Sequence, residues 1–234
     1  MRMRKALIAL FAILAVNAFA LDPIWDMRYT LGPESRPSPK LGFGFGMRTD
    51  YNSDILFPIN LTSNLTKNFD VGTKVDVQTY NQFDHTQASI DIGGRFRFSS
   101  ASFIEIDGYF GLNRNNGSAL VLTLGNDQYI AKNFLNYYEV RAGFLDGVTG
   151  EDGYVKFQVG MTPTLIFGRF FRCMVEVNSS ASAGHMQDDF MIDILPKFEL
   201  TLGGTRIRLD FDIGVMQEDN NDRKGIALYV MTAL

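Results

Sequence analysis

Apolar and polar residues alternate with a period of two through almost the whole chain, in stretches of about ten residues, and this dictates strands with two unlike faces. Phe69, Val71, Thr73, Val75 and Val77 alternate with Asp70, Lys74, Asp76 and Gln78. Ala88, Ile90, Ile92, Phe96 and Phe98 alternate with Ser89, Asp91, Arg95 and Arg97. The pattern returns where Val155, Phe157 and Val159 flank Lys156 and Gln158, and where Ile207, Leu209, Phe211 and Ile213 flank Arg206, Arg208, Asp210 and Asp212. No segment competes as an amphipathic helix. Beyond the first twenty residues no apolar run approaches the ~20 needed for a membrane-spanning helix.

The alternation and the turn residues between its stretches predict strands at 40–49, 54–64, 69–79, 87–98, 103–112, 119–130, 134–145, 153–166, 171–180, 189–202, 205–216 and 225–234. That is about twelve, with ten to fourteen as the range, and an even count suits a single-chain bacterial barrel. The stretch 119–130 is the least regular, because Gly125 to Gln128 interrupts the alternation of Leu120, Leu122 and Leu124. Connections differ in kind. Short ones fall at 65–68, 99–102, 131–133, 167–170 and 203–204, and longer polar ones at 80–86, 113–118, 146–152, 181–188 and 217–224. Short turns on one rim and longer loops on the other describe an outer-membrane barrel, with the short set periplasmic and the long set extracellular.

A soluble β-sandwich also alternates, with its apolar face turned inward. Three features favour the membrane barrel. The runs are about ten residues long, against ~5–6 in soluble domains, and ten tilted residues cross a bilayer. Aromatics collect near the short turns (Phe69, Phe98, Phe103, Phe134, Phe167, Phe170, Phe171 and Phe198), as an interfacial girdle would. The polar faces carry many charges of both signs, which suits a water-filled or ion-paired lumen. The fold expected is therefore all-β: a closed antiparallel transmembrane β-barrel. Its lumen-lining candidates are Asp91, Arg95, Arg97, Glu105, Asp107, Glu139, Arg141, Arg172, Glu176, Asp193, Lys197, Glu199, Arg206, Arg208, Asp210 and Asp212. Near the short-turn rim, Arg95 and Arg97 are expected to meet Glu105, and Lys197 and Glu199 to meet Arg206 and Arg208.

The first residues carry a different signal. Arg2, Arg4 and Lys5 precede an apolar run from Ala6 to Val16 and the pattern Ala18-Phe19-Ala20, the anatomy of a secretory signal peptide cleaved after Ala20. Leu21 follows the cut, which argues against a lipoprotein. Residues 21–39, with Pro33, Pro37 and Pro39, read as an N-terminal periplasmic segment and linker, and 40–234 as the barrel. Without the signal the chain has 19 Lys+Arg against 26 Asp+Glu, a net charge of −7, which gives no electrostatic reason to bind nucleic acid. The lone Cys173 forms no internal disulfide and reads as a small hydrophobe.

On this architecture, over residues 40–234, the chain resembles bacterial outer-membrane β-barrel proteins of the small porin or channel class. In that class the last strand alternates apolar residues and ends on an aromatic. Ile226, Leu228, Val230 and Thr232 keep the alternation here, and Leu234 stands where Phe or Trp is usual. The resemblance implies a bacterial outer-membrane location and contact with lipid and lipopolysaccharide. It also implies help from the barrel-assembly machinery and small hydrophilic solutes as cargo.

Other chemistry is poorly supported. His85 and His185 are the histidines, and both are expected in long-side loops. A serine-hydrolase reading pairs His185 with Ser179, Ser180 or Ser182 and lacks a nucleophile-elbow motif. An outer-membrane protease reading would use Asp84-His85 and Asp188-Asp189, whose adjacent side chains point to opposite faces in a strand. Acidic loop clusters at 151–152, 188–189 and 218–222 lack the glycine and terminal glutamate of a calcium loop. No enzyme activity, cofactor or metal is expected. The function expected is a passive channel for small hydrophilic solutes. The alternative is a closed structural or adhesive barrel with an ion-paired lumen, and a loop-borne hydrolase ranks third.

Overall fold

The protein is described by a computed structural model over residues 38–50, 55–80, 85–112, 118–145, 153–183, 190–216 and 224–234. The expected signal peptide, most of the segment before the barrel, His185 and the acidic loop clusters lie outside the described residues. The strands are β1 (Gly42–Asp50), β2 (Ile55–Thr66), β3 (Phe69–Tyr80), β4 (His85–Arg97), β5 (Ser102–Gly111), β6 (Ser118–Ala131), β7 (Phe134–Leu145), β8 (Tyr154–Phe167), β9 (Phe171–Ala183), β10 (Phe190–Leu202), β11 (Thr205–Met216) and β12 (Lys224–Ala233). Each pairs with its sequence neighbour, and β1 pairs with β12, so the twelve strands close into an antiparallel barrel. The seam runs unbroken from Gly42 opposite Ala233 to Asp50 opposite Gly225. Closure leaves no edge strand and gives every strand two neighbours.

The expected strand count holds, including the stretch of weakest pattern, which is β6. Its irregularity has a steric cause. Gly125 faces inward directly opposite Phe103, and a Cβ there would lie 2.3 Å from the Phe103 ring. The short connections are 67–68, 98–101, 132–133, 168–170 and 203–204. Gly168 and Gly203 sit at φ 64° and 62°, a left-handed backbone that glycine adopts without cost. His85, expected in a loop, is the first residue of β4.

Burial is inverted relative to a water-soluble protein. Ile92 is 55% exposed, Phe157 54% and Val159 59%, all on the outer face. Their strand neighbours Asp91, Lys156 and Gln158 are buried on the inner face. Exposed phenylalanines gather around the short-turn rim: Phe98, Phe167, Phe170, Phe171 and Phe198. Phe171 stacks on Phe198 at 6.4 Å between centroids, and Phe198 meets Phe211 edge-on at 6.1 Å. Phe103 does not belong to this girdle. It shares the parity of Glu105 and Asp107, so it points into the barrel and is fully buried.

Candidate functional site: the barrel interior

Strand parity decides what enters the interior. One face of every strand points inward, and on β3–β5 and β7–β11 that face is largely charged or amide-bearing. Asp91, Arg95, Arg97, Glu105, Asp107, Glu139, Arg141, Glu176, Lys197, Glu199, Arg208 and Asp210 are all buried there. Asp193, Arg172 and Arg206 are half-buried. Asp212 lies on the inward parity of β11, and its side chain is outside the described residues.

Charge pairs stack in tiers from the short-turn rim. At the rim, the Arg97 guanidinium grips Asp70 through both nitrogens, with Nη2–Oδ1 at 3.1 Å, and donates to the Lys67 carbonyl at 3.2 Å. Asn64 donates to Asp70 at 2.7 Å and the Ser38 backbone N–H at 3.3 Å, so the chain enters β1 tethered to this tier. One tier up, Arg95 pairs with Glu105 (Nε–Oε2 2.6 Å) and lies 4.0 Å from the Phe103 ring centroid. Phe103 in turn stacks on Tyr137 at 6.2 Å. Deeper, Lys74 bridges Asp76 at 2.8 Å and Asp91 at 2.9 Å. Glu139 accepts from the Tyr137 hydroxyl at 3.0 Å and from Gln158 at 3.3 Å, with Arg141 at 3.7 Å.

Across the barrel, Lys197 sits between Glu176, which it contacts directly, and Asp210 at 3.7 Å. Arg208 pairs with Asp210 at 3.0 Å, and Arg172 approaches Glu199 at 4.0 Å.

The register explains which expected pairs form. Arg95 stands directly opposite Glu105 and the two meet. Arg97 is opposite Phe103 and turns to Asp70 on the other side. On β10–β11 the two-residue turn places Leu202 opposite Thr205, which puts Glu199 opposite Arg208, Lys197 opposite Asp210, and Arg206 opposite Thr201. Lys197 therefore pairs with an acid on each side rather than standing near Arg206.

The two walls differ in charge. Inward positions of β3–β7 hold Asp70, Asp76, Asp91, Glu105, Asp107, Asp127 and Glu139 against Lys74, Arg95, Arg97 and Arg141. On β8–β11 Glu176, Asp193, Glu199, Asp210 and, by parity, Asp212 stand against Lys156, Arg172, Lys197, Arg206 and Arg208. Apolar side chains also point inward, among them Leu56, Val121, Leu135, Met174 and Leu195, which the alternation did not single out. Gly42, Gly44 and Gly46 share the inward face of β1 and leave room beside it. Neighbours fill that room: a Cβ on Gly46 would lie 2.5 Å from the Tyr229 ring.

No known protein family matches the chain, and no curated protein does. Solved structures do. An outer-membrane channel from Pseudomonas putida F1 superimposes with a TM-score of 0.64 at 7% identity, over 86% of this chain and 98% of that one. The fold is that of outer-membrane β-barrels. The NanC porin gives a TM-score of 0.60 at 8% identity, over 83% of this chain and 100% of its own. The KdgM porin gives 0.58 at 9%, over 82% and 99%. KdgM is also known in complex with disordered oligogalacturonate. At these identities the likeness extends to the barrel architecture.

Proposed function

We propose that this chain is a non-enzymatic channel of the bacterial outer membrane that passes small hydrophilic solutes. In this reading residues 1–20 are a cleaved export signal and 21–39 a periplasmic segment leading to the barrel. The observation that carries it is the inverted barrel, apolar outside and charged within. In lipid every backbone N–H and C=O must be paired internally, and a closed sheet does this. A barrel of twelve strands is wider than the eight-stranded kind whose interior side chains fill. Lipid, lipopolysaccharide and the assembly machinery are the partners this placement implies.

The interior is closely set beside β1. Phe45, Pro58, Asn60, Lys74, Arg208, Tyr229 and Met231 line a cavity of ≈ 10 Å³, about one water molecule. In this reading the long inward side chains, Lys74 and Arg208 among them, swing aside to admit solute, so small solutes pass and large oligomers do not. The paired interior also favours a second reading, a closed structural barrel held by its own ion pairs. Liposome swelling separates the two. Vesicles carrying the purified protein are expected to swell in small sugars and to swell progressively more slowly as the sugar grows. Correctly folded protein that gives no swelling with any sugar refutes the channel.

A further inference from the structure

Asp107 is fully buried on the inner face of β5, and neither of its carboxylate oxygens has a hydrogen-bond donor. No cation of the described residues pairs with it. Register explains this: the inward residues opposite Asp107 are Gly93 on β4 and Val121 on β6, which offer no polar group. The charge on its own strand face is Glu105, of the same sign, while Arg95 and Arg141 act from further off. Two more oxygens nearby are buried and without a partner. One is Glu105 Oε1, because Arg95 takes the other oxygen. The other is Thr123 Oγ1, on the β6 residue directly opposite Glu105. A buried carboxylate left without a donor is strongly disfavoured unless it takes up a proton or a cation compensates it, and the four unpartnered oxygens gathered here suit a cation.

We propose that Asp107, Glu105 and Thr123 form a subsite for a hard cation, Ca²⁺ or an alkali ion. Every free donor in the patch is oxygen, which selects hard ions over zinc or copper. Two carboxylates and a hydroxyl are fewer than the 6–8 oxygens Ca²⁺ takes, and among the described residues no third acid, His or Cys completes a cage. The ion would keep part of its water shell, as an ion in transit along a polar lumen does. The alternation placed Glu105 and Asp107 in the lumen without setting them apart from the other inward acids, and the acidic clusters that stand out as cation candidates are in the loops. The subsite rests on the channel reading, because the ion must reach Asp107 from the aqueous rim.

Tb³⁺, an ion of similar size and hardness to Ca²⁺, tests it. Tyr109 lies two residues from Asp107 on the same inner face and can sensitise Tb³⁺ luminescence. The full chain in detergent is expected to give saturable Tb³⁺ emission that Ca²⁺ displaces. Asp107→Asn should weaken Tb³⁺ binding at least about tenfold, and Thr123→Val by less. Asp76→Asn, which alters a carboxylate outside the patch, should bind as the wild type does. If Asp107→Asn fails to fold, Thr123→Val carries the test, with reduced affinity supporting the site and unchanged affinity overturning it. Absent saturable emission, or equal emission from Asp107→Asn, also overturns it. A protein that swells liposomes yet shows no emission refutes the subsite alone, whereas emission without swelling refutes the channel alone.

Discussion

The wall around Lys197 and the wall around Asp107 are built from the same residue types and reach opposite electrostatic ends. On β9–β11 a single lysine serves two acids on the adjoining strands, and Arg208 adds a second cation to Asp210. On β4–β6 the arginine is spent on Glu105, and the residues opposite the next acid are glycine and valine. The Asp107 wall holds more acids than bases, and register decides which acid is left without a partner. One wall is held by its charges, and the other holds a charge it does not compensate.

Four substitutions sharpen or break that contrast. Lys197→Met should have the largest effect, because it strands Glu176 and Asp210 in the interior. Removing one partner of a buried pair costs about 3–5 kcal/mol, read as a lower urea midpoint for the barrel folded in vesicles. Asp107→Asn removes a charge that nothing pairs, so stability should hold or rise. Equal losses for these two would show that the walls do not differ. Ile92→Arg and Leu209→Arg come next, at about 2–4 kcal/mol near the bilayer midplane. They lie on strands of the two different walls but on the common outer face, so they should cost alike. A twofold gap between them would move the contrast out of the interior.

How much of this was legible in the sequence follows from the same distinction. Face assignment needs only a period of two, and strands such as β3, β4 and β11 display it openly. Even β6 was placed, though its break was read as irregularity when Gly125 is making room for Phe103. Pairing needs register, which proximity to a turn does not give. The Gly203-Gly204 turn did contain that information: a two-residue hairpin forces Leu202 opposite Thr205, and counting back puts Lys197 opposite Asp210. Asp107 was beyond such counting. Its isolation depends on Val121, across a connection at 112–117 too long to fix register, as well as on Gly93. The inward turn of Phe103 was readable from its parity with Glu105, and its aromatic character hid it among the rim phenylalanines.

Two smaller effects refine the account. Gly46→Ala would press a methyl group against the Tyr229 ring, beneath Arg208, and should cost about 1–3 kcal/mol by overcrowding. Gly204→Ala, whose Cβ would meet only Ala233 at 3.6 Å, is the mild comparison, and both are read by the same urea titration. Neutralising Arg206 and Arg208 together should shift ion selectivity toward cations. The change in reversal potential across a salt gradient reports it, and no shift would place the conducting path away from the Lys197 wall.

The most direct test of the central claim is single-channel recording of the purified full-length protein in a planar bilayer. The account predicts discrete, small conductance steps, as expected of a polar path narrowed by ion-paired side chains. Correctly folded protein that inserts and yields no steps at any voltage or salt concentration would contradict it.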